Sequence, residues 1–191
     1  MNNIIFFDTE TTGLPKSWKG GMKEVSNWPR VIQLAWEVCD IKGDVIHQRQ
    51  FLIKPDGWVI PKEKFWIDNG FSTEKNQAEG VQLFKVLLQF IEDLKTCNLM
   101  VAHNMKFDYP VLGAEFIRYM LTTGRKLERI CTMESSVHFC DLPRKKWPRL
   151  EELHRMLFGC DFEGAHDALN DVIACRKCFF ALKEKGIIKL P

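Results

Sequence analysis

The sequence predicts an α/β fold, a mixed sheet flanked by helices, in a single domain over residues 1–191. Two observations carry this. Three short apolar or β-prone stretches stand near the N-terminus, the second and third joined by a tight turn. Beyond them, segments with apolar residues at three- and four-residue spacing alternate with short apolar runs, the pattern of helices and buried strands in turn. A chain of 191 residues fits one compact domain. Its 46% hydrophobic and 27% charged residues are the balance of a protein with a real core.

Ile4-Ile5-Phe6-Phe7 is the first strand, buried on both faces and ending at Asp8-Thr9-Glu10. A long loop follows, from Gly13-Leu14-Pro15 to Trp28-Pro29, rich in Gly, Lys, Ser and Pro. Val31 to Asp40 and Val45 to Ile53 are β-prone, and Lys42-Gly43-Asp44 between them signals the turn of an antiparallel hairpin. The chain then leaves the sheet, and the stretch to Thr73, with Trp58, Phe65, Trp66 and Phe71, reads as irregular. Ala78 to Leu94 reads as an amphipathic helix with Val81, Phe84, Leu88 and Ile91 on its apolar face. Leu99-Met100-Val101-Ala102 is a buried strand ending at His103-Asn104, and Pro110 to Leu121 a helix with Val111, Ala114, Ile117 and Met120 inward. Ile130-Cys131-Thr132 adds a last strand, Leu150 to Leu157 a helix, and Asp167 to Lys185 the final helix.

No apolar run approaches the ~20 residues needed to cross a bilayer. The start, Met1 to Asp8, lacks the basic and longer apolar regions of a signal peptide, so a cytoplasmic location is expected. The seven cysteines are scattered and odd in number, and read as reduced, mostly buried thiols. Cys175 and Cys178 form a lone C-x-x-C without the second ligand pair that zinc requires, at a spacing that suits neighbours on one helix. A net charge of +2 is too small for a general nucleic-acid coat. It suits an enzyme that grips a few nucleotides, and equally a protein that never touches nucleic acid.

Three acidic segments carry the chemistry. Residues i and i+2 of a strand point to the same side, so Asp8 and Glu10 aim two carboxylates at one small region. Like charges so close repel, and a divalent cation removes that penalty. Taken alone, the pair reads first as a solvated strand end with a capping Asp. Asp108 follows the second buried strand and sits just before Pro110, where a helix-capping role is the plain alternative. In Ala165-His166-Asp167-Ala168-Leu169-Asn170-Asp171, five residues of regular helix turn about 500°, so His166 and Asp171 cannot both face one site from it. The spacing places Asp167 at the helix start, His166 on the preceding loop and Asp171 inward from the second turn.

Together these segments resemble the DnaQ-like family of 3′→5′ exonucleases in its DEDDh branch. Phe7-Asp8-Thr9-Glu10-Thr11-Thr12-Gly13-Leu14 is similar to the first family motif, His103-Asn104-x-x-Phe107-Asp108 to the second, and His166-x-Ala168-x-x-Asp171 to the third. Pro29 to Ala35 and Trp147 to Leu153 resemble segments between the motifs, whereas Asp68 to Glu74 only approximates a family turn and the loop from Pro15 to Pro29 is long. The resemblance implies a ribonuclease H-like fold with a mixed five-stranded sheet. It implies a two-metal hydrolysis with Mg²⁺ or Mn²⁺ held by Asp8, Glu10, Asp108 and Asp171, Asp8 bridging both ions. His166 is then the general base, with a mildly alkaline optimum expected. Thr11, Gly13 and Leu14 would contact the terminal nucleotide, with His103, Asn104 and Phe107 on the opposite wall.

The substrate expected is a single-stranded or frayed 3′ end, DNA ahead of RNA, in proofreading beside a polymerase or in DNA end processing. Trimming of RNA 3′ ends is the rival, since no 2′-hydroxyl sensor is visible. A catalytically idle binding module is disfavoured because none of the five catalytic-type residues is missing. A polymerase accessory subunit would need a docking peptide, and Gln82-Leu83-Phe84 falls in an expected helix with Phe84 inward. Lys16, Lys19 and Lys23, and separately Arg144, Lys145, Lys146 and Arg149, are basic groups that read either as strand guides or as solvated surface.

Overall fold

The computed structural model describes residues 3–190; Met1, Asn2 and Pro191, included in the expected domain and N-terminal reading, lie outside the described residues. The strands are β1 (Asn3–Thr11), β2 (Val31–Cys39), β3 (Val45–Leu52), β4 (Cys97–Ala102) and β5 (Glu128–Cys131). The helices are α1 (Lys64–Asp68), α2 (Thr73–Glu79), α3 (Leu83–Leu94), α4 (Met105–Arg118), α5 (Thr132–Ser135), α6 (Val137–Cys140), α7 (Leu150–Phe158) and α8 (Ala168–Glu184). The strands form one sheet in the order β3-β2-β1-β4-β5. β1–β2 and β2–β3 are antiparallel, β1–β4 and β4–β5 parallel. This is the mixed five-stranded α/β architecture that the sequence led us to expect.

Strand alternation divides the core in two. Ile5 and Phe7 of β1 face one way, into a core with Leu34 and Trp36 of β2 and Val86, Phe90, Val111 and Phe116 of α3 and α4. Ile4 and Phe6 face the other, against Leu153 of α7 and Val172, Cys175, Phe179 and Leu182 of α8. Burying such a side chain stabilises by about 1.5–3 kcal/mol, so the central strand is fixed in register by both layers. All seven cysteines carry free thiols, and only Cys160 is exposed. Cys175 and Cys178 are both buried on α8.

Several boundaries differ from the sequence reading, each for a local reason. The helix expected from Ala78 begins at Leu83, because Gly80 ends α2 in an extended conformation. There is no room for a side chain there: a Cβ on Gly80 would lie 2.7 Å from Lys54 N. The intervening Val81 makes a parallel bridge to Ile53. The buried stripe of α3 is therefore Leu83, Val86, Leu87, Phe90 and Leu94, and Phe84, expected inside, is 42% exposed. α4 starts five residues before Pro110, capped by Asn104 at φ 108°, and the proline sits inside it. Ile117 and Met120, expected inward, are exposed at the end of α4 and just beyond it. The last strand is Glu128–Cys131, with Thr132 already in α5, and the stretch expected to be irregular contains α1 and the start of α2. Among the described residues no helix is long and apolar enough to cross a membrane.

Candidate active site

β1 stops being apolar at Asp8, and the same alternation that buried Ile4 and Phe6 then sends Asp8 and Glu10 to the α8 face. Thr9 points the other way, toward α4. Its hydroxyl donates to Asp108 Oδ1 at 2.8 Å and its backbone N–H to the same oxygen at 3.2 Å. Asp108 thus reaches the strand end from the first turn of α4, buried. A β-bulge after Glu10 ends the regular pairing with β2 and turns the chain toward Gly13 (φ 148°).

The third segment arrives on α8. Asp167 is its N-cap, accepting from Leu169 N and Asn170 N. The other carboxylate oxygen of Asp167 accepts from Gln33 Nε2 (3.1 Å) and Gln50 Nε2 (2.6 Å), while Gln33 Oε1 accepts from Ala168 N (2.9 Å). Gln33 is the register partner of Glu10. The start of α8 is therefore tied to the strand beside the carboxylates. His166 sits on the loop before the cap in the left-handed region (φ 68°), as the helical arithmetic required. Asp171 lies in the first turn of α8 instead of the second, since the helix begins only at Ala168. Its carboxylate accepts the backbone N–H of His166 at 3.1 Å, which brings both groups to one side.

Asp8, Glu10, Asp108, Asp171 and His166 all line one cleft of about 340 Å³, with Leu14, His103, Asn104 and Phe107. Thr11 and Gly13 line an adjoining hollow that shares Leu14 and Phe107. Every residue expected to hold metal, move the proton or touch the terminal nucleotide thus lines the cleft or the hollow. His103 is fully engaged: its Nε2 meets the Pro148 carbonyl at 3.0 Å, so Nδ1 accepts from the Thr132 hydroxyl at 2.9 Å in the neutral ring. Burial lowers its pKa to about 4, which keeps it neutral. Of the two basic groups, the second is partly spent, because Lys146 pairs with Glu152 at 2.8 Å.

The sequence reading missed Trp18, Leu150 and Glu151, which also line the cleft, and Phe65 and Trp66, which line the hollow. The rings of Phe65 and His166 meet in a T-shaped pair with centroids 5.3 Å apart, and Trp66 Nε1 donates to the Thr11 carbonyl at 2.9 Å. The aromatic pair in a polar stretch was the signal that could have found them.

The electrostatics are those of crowded acids. Burial, then the charges of Asp108, Asp171, Glu10 and Asp167, raise Asp8 well above the usual carboxylate range. Glu10 is pushed up to about 8 by burial and by Asp171, Asp108 and Asp167. Burial lifts Asp108 to about 7 against the opposing Thr9 hydrogen bonds. Asp171 rises to about 7 through burial, with Glu151 and Asp167 adding to it and the His166 N–H opposing. Glu10, His166 and Asp171 each offer a ligand atom, all within 4.8 Å of one another. Hard oxygen donors in excess, with no lysine or arginine lining the cleft among the described residues, fit a divalent cation.

The RNase_T family model, described as exonuclease, matches residues 5–179. The chain belongs to this exonuclease family. The DnaQ-like resemblance read from the motifs therefore stands, and the match runs through all three of them. No curated protein matches the sequence. Solved structures of exonuclease I share the fold of this family member. E. coli exonuclease I in complex with a dT13 oligonucleotide is 21% identical with a TM-score of 0.75, covering 96% of this chain and 41% of that one. The zinc ion-bound form of the E. coli enzyme with single-stranded DNA is 22% identical at TM-score 0.74, with the same shares covered. A moderately thermophilic exonuclease I from Methylocaldum szegediense is 19% identical at TM-score 0.74, covering 97% of this chain and 41% of that one. The chain thus spans about two fifths of the length of these exonucleases.

Proposed function

We propose that this chain is a single-domain, metal-dependent 3′→5′ exonuclease that removes nucleoside monophosphates from single-stranded or frayed DNA ends. The observation that carries the reading is the convergence of Asp8, Glu10, Asp108, Asp171 and His166 on one cleft, from three separated segments. The single-stranded DNA held by the structurally similar exonuclease I supports the choice of substrate.

Asp8, Glu10, Asp108 and Asp171 would hold divalent cations, two Mg²⁺ or Mn²⁺. Bound there, such ions supply positive charge that offsets the carboxylates, activates water and stabilises charge developing on the phosphate. The remaining work belongs to the chain. His166, exposed at the cleft and flanked by Phe65, takes the proton of the attacking water. The N–H of His166 on the Asp171 carboxylate keeps the base and that acid together. Thr9 orients Asp108 through two hydrogen bonds. Leu14 (74% exposed) and Phe107 offer apolar surface to a terminal base, a contact that reads no sequence.

Time-resolved digestion of 5′-labelled DNA and RNA oligomers with Mg²⁺, beside Asp8→Ala, tests the reading. A stepwise ladder on single-stranded DNA, abolished in the variant and by EDTA, is expected. Cutting of closed circles, or a ladder that survives in Asp8→Ala, would overturn it. Faster trimming of RNA than DNA would redirect the substrate alone.

A further inference from the structure

The segment between β1 and β2 is an ordered arm with a tryptophan at the cleft. Thr12 N donates to the Arg30 carbonyl at 2.9 Å and closes its base. Within it the buried Asn27 side chain accepts from Ser17 N (2.8 Å) and donates to Ser17 O (2.9 Å). Gly20 lies so close that a Cβ there would come 2.4 Å from Asn27 Nδ2. The outside of the arm is fastened to α4. Met22 packs over Gly113, where a Cβ would sit 2.2 Å from the methionine sulfur. Arg118 donates to the carbonyls of Val25 and Trp28.

The residue after the clamped Ser17 is Trp18. Its indole is 58% exposed, lines the cleft with the carboxylates, and faces the Phe107 ring at 6.1 Å between centroids and 51° between planes. A large aromatic left open to water on a chain fixed from both sides is poorly explained by the core, and among the described residues Phe107 is the ring it meets. Stacking on such a ring needs no base identity and loses little entropy when the ring is already held.

We propose that Trp18, presented by this arm, is a stacking platform for a nucleobase of the 3′-terminal dinucleotide, a binding residue additional to the motif residues. This rests on the exonuclease reading of the cleft. Trp18 holds the strand in the cleft and takes no part in the proton transfer.

The test measures Kd for a fluorescently labelled single-stranded dT oligomer in the uncut Asp8→Asn background with Mg²⁺, and KM and kcat with wild-type carboxylates. Trp18→Ala is expected to weaken Kd and raise KM by about ten-fold or more, the loss of one base–aromatic stack. Its kcat at saturating oligomer and its melting temperature should stay close to those of wild type. Trp18→Phe should recover most of the affinity, because a ring remains. Equal Kd and KM in Trp18→Ala and wild type would overturn the platform while leaving the nuclease reading intact. A wild-type protein that neither binds nor digests the oligomer would overturn both.

Discussion

The two halves of β1 obey one rule and reach opposite ends. From Ile4 to Phe7, alternation sends apolar side chains into two cores and the strand gains stability from both. From Asp8 to Glu10, the same alternation on the same strand gathers carboxylates, and burial pushes Asp8 and Glu10 far from their ordinary ionisation. The first half stabilises the fold; the second is strained when ionised and bare. A site of this kind sits where an over-determined strand can hold it.

The comparison can be broken most sharply at Asp8. Asp8→Asn is expected to lower kcat by more than about a hundred-fold, beyond the usual cost of losing an outer partner of a metal site. At the same time it should raise the melting temperature in EDTA, because an acid disfavoured first by burial and then by its neighbours' charges is gone. Steady-state rates with calorimetry check both, and a variant that melts earlier without metal would contradict the strain. Phe6→Ala, two residues away on the same face, should behave in the opposite sense. It is expected to destabilise by about 3–5 kcal/mol through the cavity it leaves against Phe179. Urea unfolding reads that loss.

A pH series sharpens the same contrast with a smaller effect. Unfolded carboxylates ionise near ~4, whereas Glu10 holds its proton to about 8, and Asp108 and Asp171 to about 7. The native state therefore binds more protons than the unfolded chain over this range, and stability falls as pH rises through it. His103 acts oppositely at lower pH: its pKa is depressed to about 4, so its contribution is lost as pH falls below its unfolded value near ~6.5. The clean window is thus pH 6.5 to 8.5. In EDTA the melting temperature should drop across it, and the rise produced by Mg²⁺ should grow with pH. A flat metal-free profile would contradict the shifts.

The smallest effect belongs to the cap that delivers Asp171. Asp167→Ala removes the side-chain acceptor for Leu169 N and Asn170 N. A loss of about 1 kcal/mol in urea unfolding is expected, the ordinary worth of an N-cap. No measurable loss would detach the cap from the stability of α8.

How much of this was legible in the sequence varies with the range of the interaction. Short-range signals carried the strands, the Lys42-Gly43-Asp44 turn, α7 and α8, and the position of His166 before a capped helix. Tertiary contacts decided what those signals could not. Gly80 breaks the expected helix because its neighbour is the Lys54 backbone, and that break turns Phe84 outward. Pro110 looked like a helix start, but Asn104 in a left-handed turn begins α4 earlier and places Asp108 in its first turn. The five motif residues could be named because the three segments together resemble the family motifs, each of which is local in sequence. Phe65 and Trp66 stood out only as an aromatic pair in a polar stretch, and Trp18 not at all, since only tertiary folding brings α1 to the hollow and the β1–β2 segment to the cleft.

The claim on which the rest depends is that the carboxylates of β1, α4 and α8 bind divalent cations jointly. Titration of Mn²⁺ into the wild-type protein at pH 8, followed by electron paramagnetic resonance beside Asp8→Asn, tests it without any substrate. Saturable Mn²⁺ binding by wild type, lost or strongly weakened in the variant, is expected. Wild-type protein that leaves Mn²⁺ free, or a variant that binds it equally well, would contradict the account.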